Sequence, residues 1–208
     1  MSNKGNFIVF EGIDGSGTTT QIKRVSEELR RKNRLVTTTA EPSNGPVGKL
    51  IRKYLGGSFP MPTARIRSSF MSLLFTADRL EHFNVEIEPA LQRGDMVLCD
   101  RYLLSTIAYQ TKGLDKQQWI STISTDVVQP DFHVYIRLDP KVAIDRVEKR
   151  GGNREFYETL QIQKGTHQNY EELFKSIPRS QVLIVDGTDT PESITQMIVS
   201  EIERRFFS

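Results

Sequence analysis

The apolar run Phe7-Ile8-Val9-Phe10 leads without a break into Glu11-Gly12-Ile13-Asp14-Gly15-Ser16-Gly17-Thr18-Thr19-Thr20. A short apolar run bounded by glycines reads as a strand buried on both faces. The stretch after it reads as a helix from about Thr18 to Lys32, with Ile22, Val25 and Leu29 on one stripe. Between the two, Gly12, Gly15 and Gly17 let the backbone curl so that successive N–H groups point inward, and the helix adds the positive end of its dipole. Strand, glycine-rich turn and helix N-terminus together make a phosphate cradle. The spacing follows G-x-x-x-x-G-K-[ST] at every position but one: Thr19 is the metal-side hydroxyl, and Thr18 stands where the motif has lysine. The backbone part of such a site does not need the lysine. The missing charge does matter, since loss of one preorganised contact costs about 3–4 kcal/mol of transition-state stabilisation unless another cation replaces it.

Strand and helix signals alternate along the rest of the chain, with no repeat and no low-complexity linker. Further strands are expected at Leu35 to Thr39, Met96 to Cys99, His133 to Leu138 and Gln181 to Val185. Helical patterns are expected from Val47 to Tyr54, Thr63 to Leu91 (with a kink or break at Pro89), Leu103 to Thr111, Asp115 to Val127, after Pro140, Glu155 to Lys175 and from Pro191. This alternation predicts a parallel sheet with helices on both faces and ligands gathered at the carboxyl ends of the strands.

At 208 residues the chain fits one domain with a substantial core. Its 28 basic and 26 acidic residues nearly balance, which gives no sign of a nucleic-acid-coating surface. Cys99 is the lone cysteine, so an intramolecular disulfide is excluded and an inert thiol in a buried strand is expected. No apolar stretch approaches membrane-spanning length, and the N-terminal residues lack the apolar core of a signal peptide. A soluble cytoplasmic protein is the expectation. His82, His133 and His167 show no ligand spacing.

Asp100 ends the apolar strand Met96-Val97-Leu98-Cys99, a carboxylate suitably placed to hold magnesium opposite the Thr19 hydroxyl. From Asp100 the sequence runs Asp-Arg-Tyr-Leu-Leu-Ser-Thr-Ile-Ala-Tyr-Gln, and here the chain resembles the thymidylate kinases. The resemblance covers nearly the whole chain in order. It is carried by residues 7–17, Glu41-Pro42, Gly48-Lys49-Leu50-Ile51-Arg52, Leu74-Phe75-Thr76-Ala77-Asp78-Arg79, Asp100 to Gln110, and Pro130-Asp131.

The resemblance implies a P-loop NTPase three-layer α/β/α fold in a single domain, with a five-stranded parallel sheet and a short helical lid at about residues 149–160. It also implies transfer of the γ-phosphoryl group of ATP to dTMP, giving dTDP on the way to dTTP, with Mg2+ and as a homodimer. Gly12, Ile13, Asp14, Gly15, Ser16, Gly17, Thr18, Thr19 and Thr20 would bind ATP, and Thr19 and Asp100 the metal. Phe75 would stack on the thymine ring and Arg79 would hydrogen-bond the base; their i, i+4 spacing puts them on one helix face. Arg52 and Arg101 would grip the dTMP phosphate as guanidinium forks. Ser105, Thr106, Tyr109 and Gln110 occupy the helical stretch where the family contacts base and sugar. Asp14 matches an acidic position that engages the 3′-hydroxyl and helps to place the arginine clamp.

The resemblance also says where the missing charge should come from. One branch of the family carries an arginine in the P-loop, and another supplies it from a mobile lid. With Gly15 and Ser16 in the loop, this chain resembles the lid branch, and Lys149-Arg150-Gly151-Gly152-Asn153-Arg154 falls in the lid position, making Arg150 and Arg154 the candidates. Phe156 departs from the family pattern there. Two alternatives stay open: a nucleoside or nucleotide kinase with a different acceptor, and a nucleotide-binding pseudokinase, which Thr18 alone supports.

Overall fold

The computed structural model describes residues 4–60, 63–110, 114–151, 157 and 159–207. Among them β1 (Phe7–Glu11), β2 (Val36–Ala40), β3 (Met96–Asp100), β4 (Phe132–Arg137) and β5 (Val182–Asp186) form one parallel sheet in the order β2-β3-β1-β4-β5. Every residue of β1 and β3 is buried, as befits central strands covered on both sides. Alternation then sorts the side chains. Ile8 and Phe10 pack with Ile22, Val25 and Leu29 of α1 (Thr18–Arg31) and with Ile194, Ile198 and Ile202 of α9 (Pro191–Phe206). Phe7 and Val9 face the other layer, which includes Phe83, Ile87 and Tyr170. The expected three-layer α/β/α arrangement with five parallel strands is therefore present.

The remaining helices are α2 (Pro46–Leu55), α3 (Ala64–His82), α4 (Glu88–Gln92), α5 (Leu103–Gln110), α6 (Leu114–Ile123), α7 (Pro140–Arg150) and α8 (Leu160–Ser176). The single long helix expected from Thr63 to Leu91 is instead three pieces, because a π turn at Phe83–Ile87 separates α3 from α4. Pro89 lies in the first turn of α4, where it has no intrahelical N–H to lose, so the proline follows the break. The helix expected from Glu155 begins at Leu160, where Thr159 Oγ1 accepts the Ile162 amide at 3.4 Å as a cap. α6 ends at Ile123, four residues short of the expected Val127. These corrections share a cause: apolar periodicity runs through a cap or a wide turn without changing phase.

β1 pairs with β3 on one side and β4 on the other, with Phe10 opposite Asp100 and Glu11 opposite Tyr135. The loop after β1 thus emerges beside the carboxyl end of β3. That register brings two signatures far apart in sequence to the same place.

Candidate active site

The loop between β1 and α1 turns on Gly15 (φ +85°) and Gly17 (φ +103°). A Cβ on Gly15 would stand 2.4 Å from the Ala143 carbonyl oxygen, so sterics as well as backbone conformation demand glycine. Gly17 is the N-cap of α1, and the helix start opens onto a cleft enclosing about 1450 Å3 of space continuous with solvent. Thr18, Thr19 and Thr20 line it, together with Arg146 and Asp189. Helix amides and a positive dipole end facing such a cleft suit a polyphosphate. Ile13 serves the loop from below, with its side chain in the core.

Thr19 Oγ1 donates to Asp100 Oδ2 at 2.5 Å, and Asp100 Oδ1 is buried without a hydrogen bond among the described residues. A hydroxyl and an unsatisfied carboxylate oxygen are hard donors that fit magnesium, an ion usually held by one or two protein oxygens with phosphates and water completing its shell. Among the described residues no group of three or more His, Cys, Asp or Glu forms an all-protein metal cage.

A second cleft, of about 580 Å3, adjoins the first. Phe75, Pro42 and Leu55 give it apolar walls, and Arg79 supplies charge. Arg79 is 1% exposed, and its Nη2 donates to Glu41 Oε2 at 2.7 Å and to Thr106 Oγ1 at 2.9 Å. Its Nε and Nη1 are buried without partners among the described residues, which leaves donors for an acceptor-bearing ligand. Glu41 is steadied in turn by His82, whose Nδ1 lies 3.4 Å from Oε1 and whose Nε2 lies 2.7 Å from Thr39 Oγ1. Asp78, one residue before Arg79, accepts the Ser43 amide at 2.8 Å and the Ser43 hydroxyl at 2.6 Å, holding the Glu41-Pro42 segment over α3.

Asp14 and Arg101 line both clefts. Arg101 Nη2 donates to Asp14 Oδ1 at 2.7 Å, and its guanidinium lies 5.2 Å from the Tyr109 ring centroid. Arg101 also holds a left-handed backbone (φ +70°), uncommon outside glycine and typical of constrained sites. The Asp14 amide donates to Tyr109 Oη at 3.0 Å. Burial pushes the Tyr109 phenol far above its ordinary range, so it stays a neutral hydroxyl.

The family model described as thymidylate kinase matches residues 10–198. The chain belongs to the thymidylate kinase family. It is similar to a probable thymidylate kinase of Thermococcus gammatolerans, 37% identical with 98% of this chain and 99% of the relative covered. It is also similar to a thymidylate kinase of Caldicellulosiruptor saccharolyticus, 34% identical over 97% of this chain and 100% of the relative. Among solved structures, the thymidylate kinase of Candida albicans superposes with a TM-score of 0.78 at 28% identity, covering 97% of this chain and 92% of that one.

Of the residues the family resemblance singles out, the fold brings Asp14, Phe75, Arg79, Arg101, Ser105, Thr106, Tyr109 and Gln110 to the smaller cleft. Several are already engaged. The Ser105 hydroxyl is held by Glu11 Oε2 at 2.5 Å and Tyr170 Oη at 2.7 Å, so it serves the scaffold. Thr106 orients Arg79, and Gln110 Nε2 donates to Tyr157 Oη at 2.7 Å. Arg52 lines neither cleft; its two Nη atoms donate to the carbonyl oxygens of Pro42 and Ser43 at the rim. Arg154 lies outside the described residues, as does the side chain of Arg150. Sequence reasoning missed Tyr157, Gln163 and Arg146. None carries a motif: Arg146 comes from α7, Gln163 from α8 and Tyr157 from the segment between them.

Glu11 is the scaffold's hinge pin. Its Oε1 accepts the Tyr102 and Ser105 amides at 3.1 and 3.3 Å, and its Oε2 accepts the Tyr170 hydroxyl at 2.8 Å, so it ties β1 to the start of α5. Burial raises its pKa while the hydrogen bonds from Ser105 and Tyr170 oppose the shift.

Proposed function

We propose that this protein transfers the γ-phosphoryl group of ATP to dTMP, forming ADP and dTDP. The observation that carries the reading is the pair of adjoining clefts that share one acid–arginine pair. One has a phosphate-cradling loop; the other offers an aromatic wall and buried guanidinium donors. The donor's terminal phosphates lie on the backbone of the Gly12 to Thr20 segment, and the dTMP phosphate meets Arg101 at the junction. Phe75 stacks on the thymine, and the free donors of Arg79 hydrogen-bond the 4-carbonyl of the base, an acceptor that thymine and uracil carry where cytosine has a donor amine. Asp14 accepts from the sugar 3′-hydroxyl and orients Arg101. Thr19 and Asp100 hold Mg2+, which when bound neutralises phosphate charge. Arg52 uses two of its N–H donors on carbonyls, leaving the others at the cleft rim for the acceptor phosphate.

Phosphoryl transfer depends mostly on positioning and charge, so the threonine at position 18 needs compensation. Arg150 and Arg154 fill that role in this reading, from a lid at about residues 149–160 of a single domain. A homodimer is part of the proposal: Ile66 and Leu73 on α3 are 56% and 51% exposed, an apolar face that a second copy would cover. No described helix is long and apolar enough to cross a membrane, and a cytoplasmic location is proposed with the rest.

Coupled ADP release with ATP, Mg2+ and dTMP tests the reading, with dUMP, UMP, dCMP and thymidine as competing acceptors. Turnover fastest with dTMP is expected and should vanish with EDTA. Folded protein that binds both nucleotides without turnover would instead be a pseudokinase, and preference for thymidine would make it a nucleoside kinase.

A further inference from the structure

Gln163 lies on α8, fully buried, and meets the half of Asp14 that Arg101 does not. Its Nε2 donates to Asp14 Oδ2 at 2.9 Å and to the Tyr157 carbonyl oxygen at 2.9 Å. Both amide hydrogens are thus directed at acceptors, which decides the end of the amide that faces the acid. Gln163 Oε1 is buried with no partner among the described residues. A buried acceptor without a donor is unfavourable, and an apolar side chain of similar size would pack there without that cost. The amide therefore has a use beyond packing.

That use follows from the geometry of the carboxylate. An acid held through one oxygen can swing about its Cβ–Cγ bond, whereas Arg101 on Oδ1 and Gln163 on Oδ2 hold both ends of the group. The same amide reaches Tyr157, whose hydroxyl is held by Gln110 and whose ring lies 5.4 Å from that of Tyr109. α8 is thereby connected through one side chain to the loop after β1 and to the wall of the acceptor cleft. We propose that Gln163 is a positioning residue for phosphoryl transfer: it sets the plane of Asp14, and through Asp14 the Arg101 guanidinium, and it links that setting to the chain at Tyr157. The inference rests on the reaction proposed above.

A double-mutant cycle tests it, with kcat, KM for both substrates and calorimetric dTMP affinity measured for wild type, Gln163→Leu, Asp14→Ala and the pair. Gln163→Leu removes both donors at similar volume and is expected to lower kcat about 10- to 100-fold, the scale of a misplaced reacting group. KM for ATP should stay within about two-fold, because the phosphate-binding backbone is untouched. In the Asp14→Ala background the same change should cost less than about three-fold, because the two residues act as a unit. Gln163→Glu, which turns an acceptor toward two acceptors, should be worse than leucine. Gln163→Met removes the same donors and stands in if the leucine variant does not fold. Wild-type kcat in Gln163→Leu, or an equal loss in both Asp14 backgrounds, overturns the proposal. A folded wild type that transfers nothing to dTMP overturns the reaction instead. The cycle is then scored on dTMP affinity, where equal factors in the two backgrounds overturn the positioning role and unequal factors support it.

Discussion

Arg101 Nη2 stands 2.7 Å from Asp14 Oδ1, and this pair is common to the walls of both clefts. Asp14 comes from the loop after β1 and Arg101 from the residue after β3, so the pairing of those two strands creates the contact. A guanidinium at the junction can bear on both the donor and acceptor phosphates, whose charges would otherwise repel.

Arg101→Ala is accordingly expected to lower kcat about 100- to 1000-fold, the usual effect of removing one preorganised charge contact. Arg101→Lys should recover only part of this, since an ammonium cannot reproduce the fork that reaches Asp14 and Ser105 together. Steady-state kinetics with saturating ATP decides; an alanine variant within a few-fold of wild type contradicts the assignment.

The lid assignment makes a separate demand. Arg154→Ala should reduce kcat much more than dTMP affinity, because a charge supplied as proposed would act only as the phosphoryl group moves. Thr18→Lys, by contrast, should change kcat by less than about ten-fold if those arginines already replace the lysine, well below the 100- to 1000-fold expected for an uncompensated loss. A gain on the larger scale would show that the natural loop lacks its charge.

Glu41 and Arg79 form an ion pair with side chains 2% and 1% exposed. Removing one member of such a pair leaves a buried charge alone, so Glu41→Ala should destabilise the fold by about 3–5 kcal/mol. Urea unfolding measures the loss, and dTMP affinity should fall with it because Arg79 also lines the acceptor cleft. A variant with unchanged midpoint and unchanged affinity would refute the role given to Glu41.

His133 supplies a pH dependence unrelated to catalysis. Burial lowers its pKa from 6.5 to about 4, with Nδ1 making no hydrogen bond among the described residues and the ring edge-on to Phe174. The unfolded chain takes up this proton below pH 6.5 and the folded chain resists until about pH 4, so stability falls as pH drops through that window. The full effect is about 3 kcal/mol, since a tenfold difference in proton affinity between the folded and unfolded chains is worth about 1.4 kcal/mol. Denaturant midpoints from pH 7.5 to 4.5 should show this slope in wild type and a shallower one in His133→Leu.

The fold was legible wherever local pattern and tertiary role coincide. Phe7 to Phe10 and Met96 to Cys99 are apolar runs because both faces of their strands are covered, so their sequence alone marks them as central. The breaks near Phe83 and Thr159 were not legible, since the apolar stripe continues across them. Family resemblance placed Phe75, Arg79 and Tyr109 at the site, yet it could not divide Ser105 from its neighbours. Whether a hydroxyl faces a ligand or a buried glutamate depends on where Glu11 and Tyr170 arrive from β1 and α8.

By itself the sequence determined the phosphate cradle and the parallel sheet, because glycine spacing and apolar periodicity act over a few residues and need no partner. It also determined that position 18 carries no charge. Only the tertiary structure decided that Gln163 would meet Asp14, that Glu41 would occupy half of Arg79 and that Arg52 would rest on backbone carbonyls. Those outcomes depend on distances between segments that are remote along the chain, and side-chain hydrogen bonds are made or lost over less than an ångström.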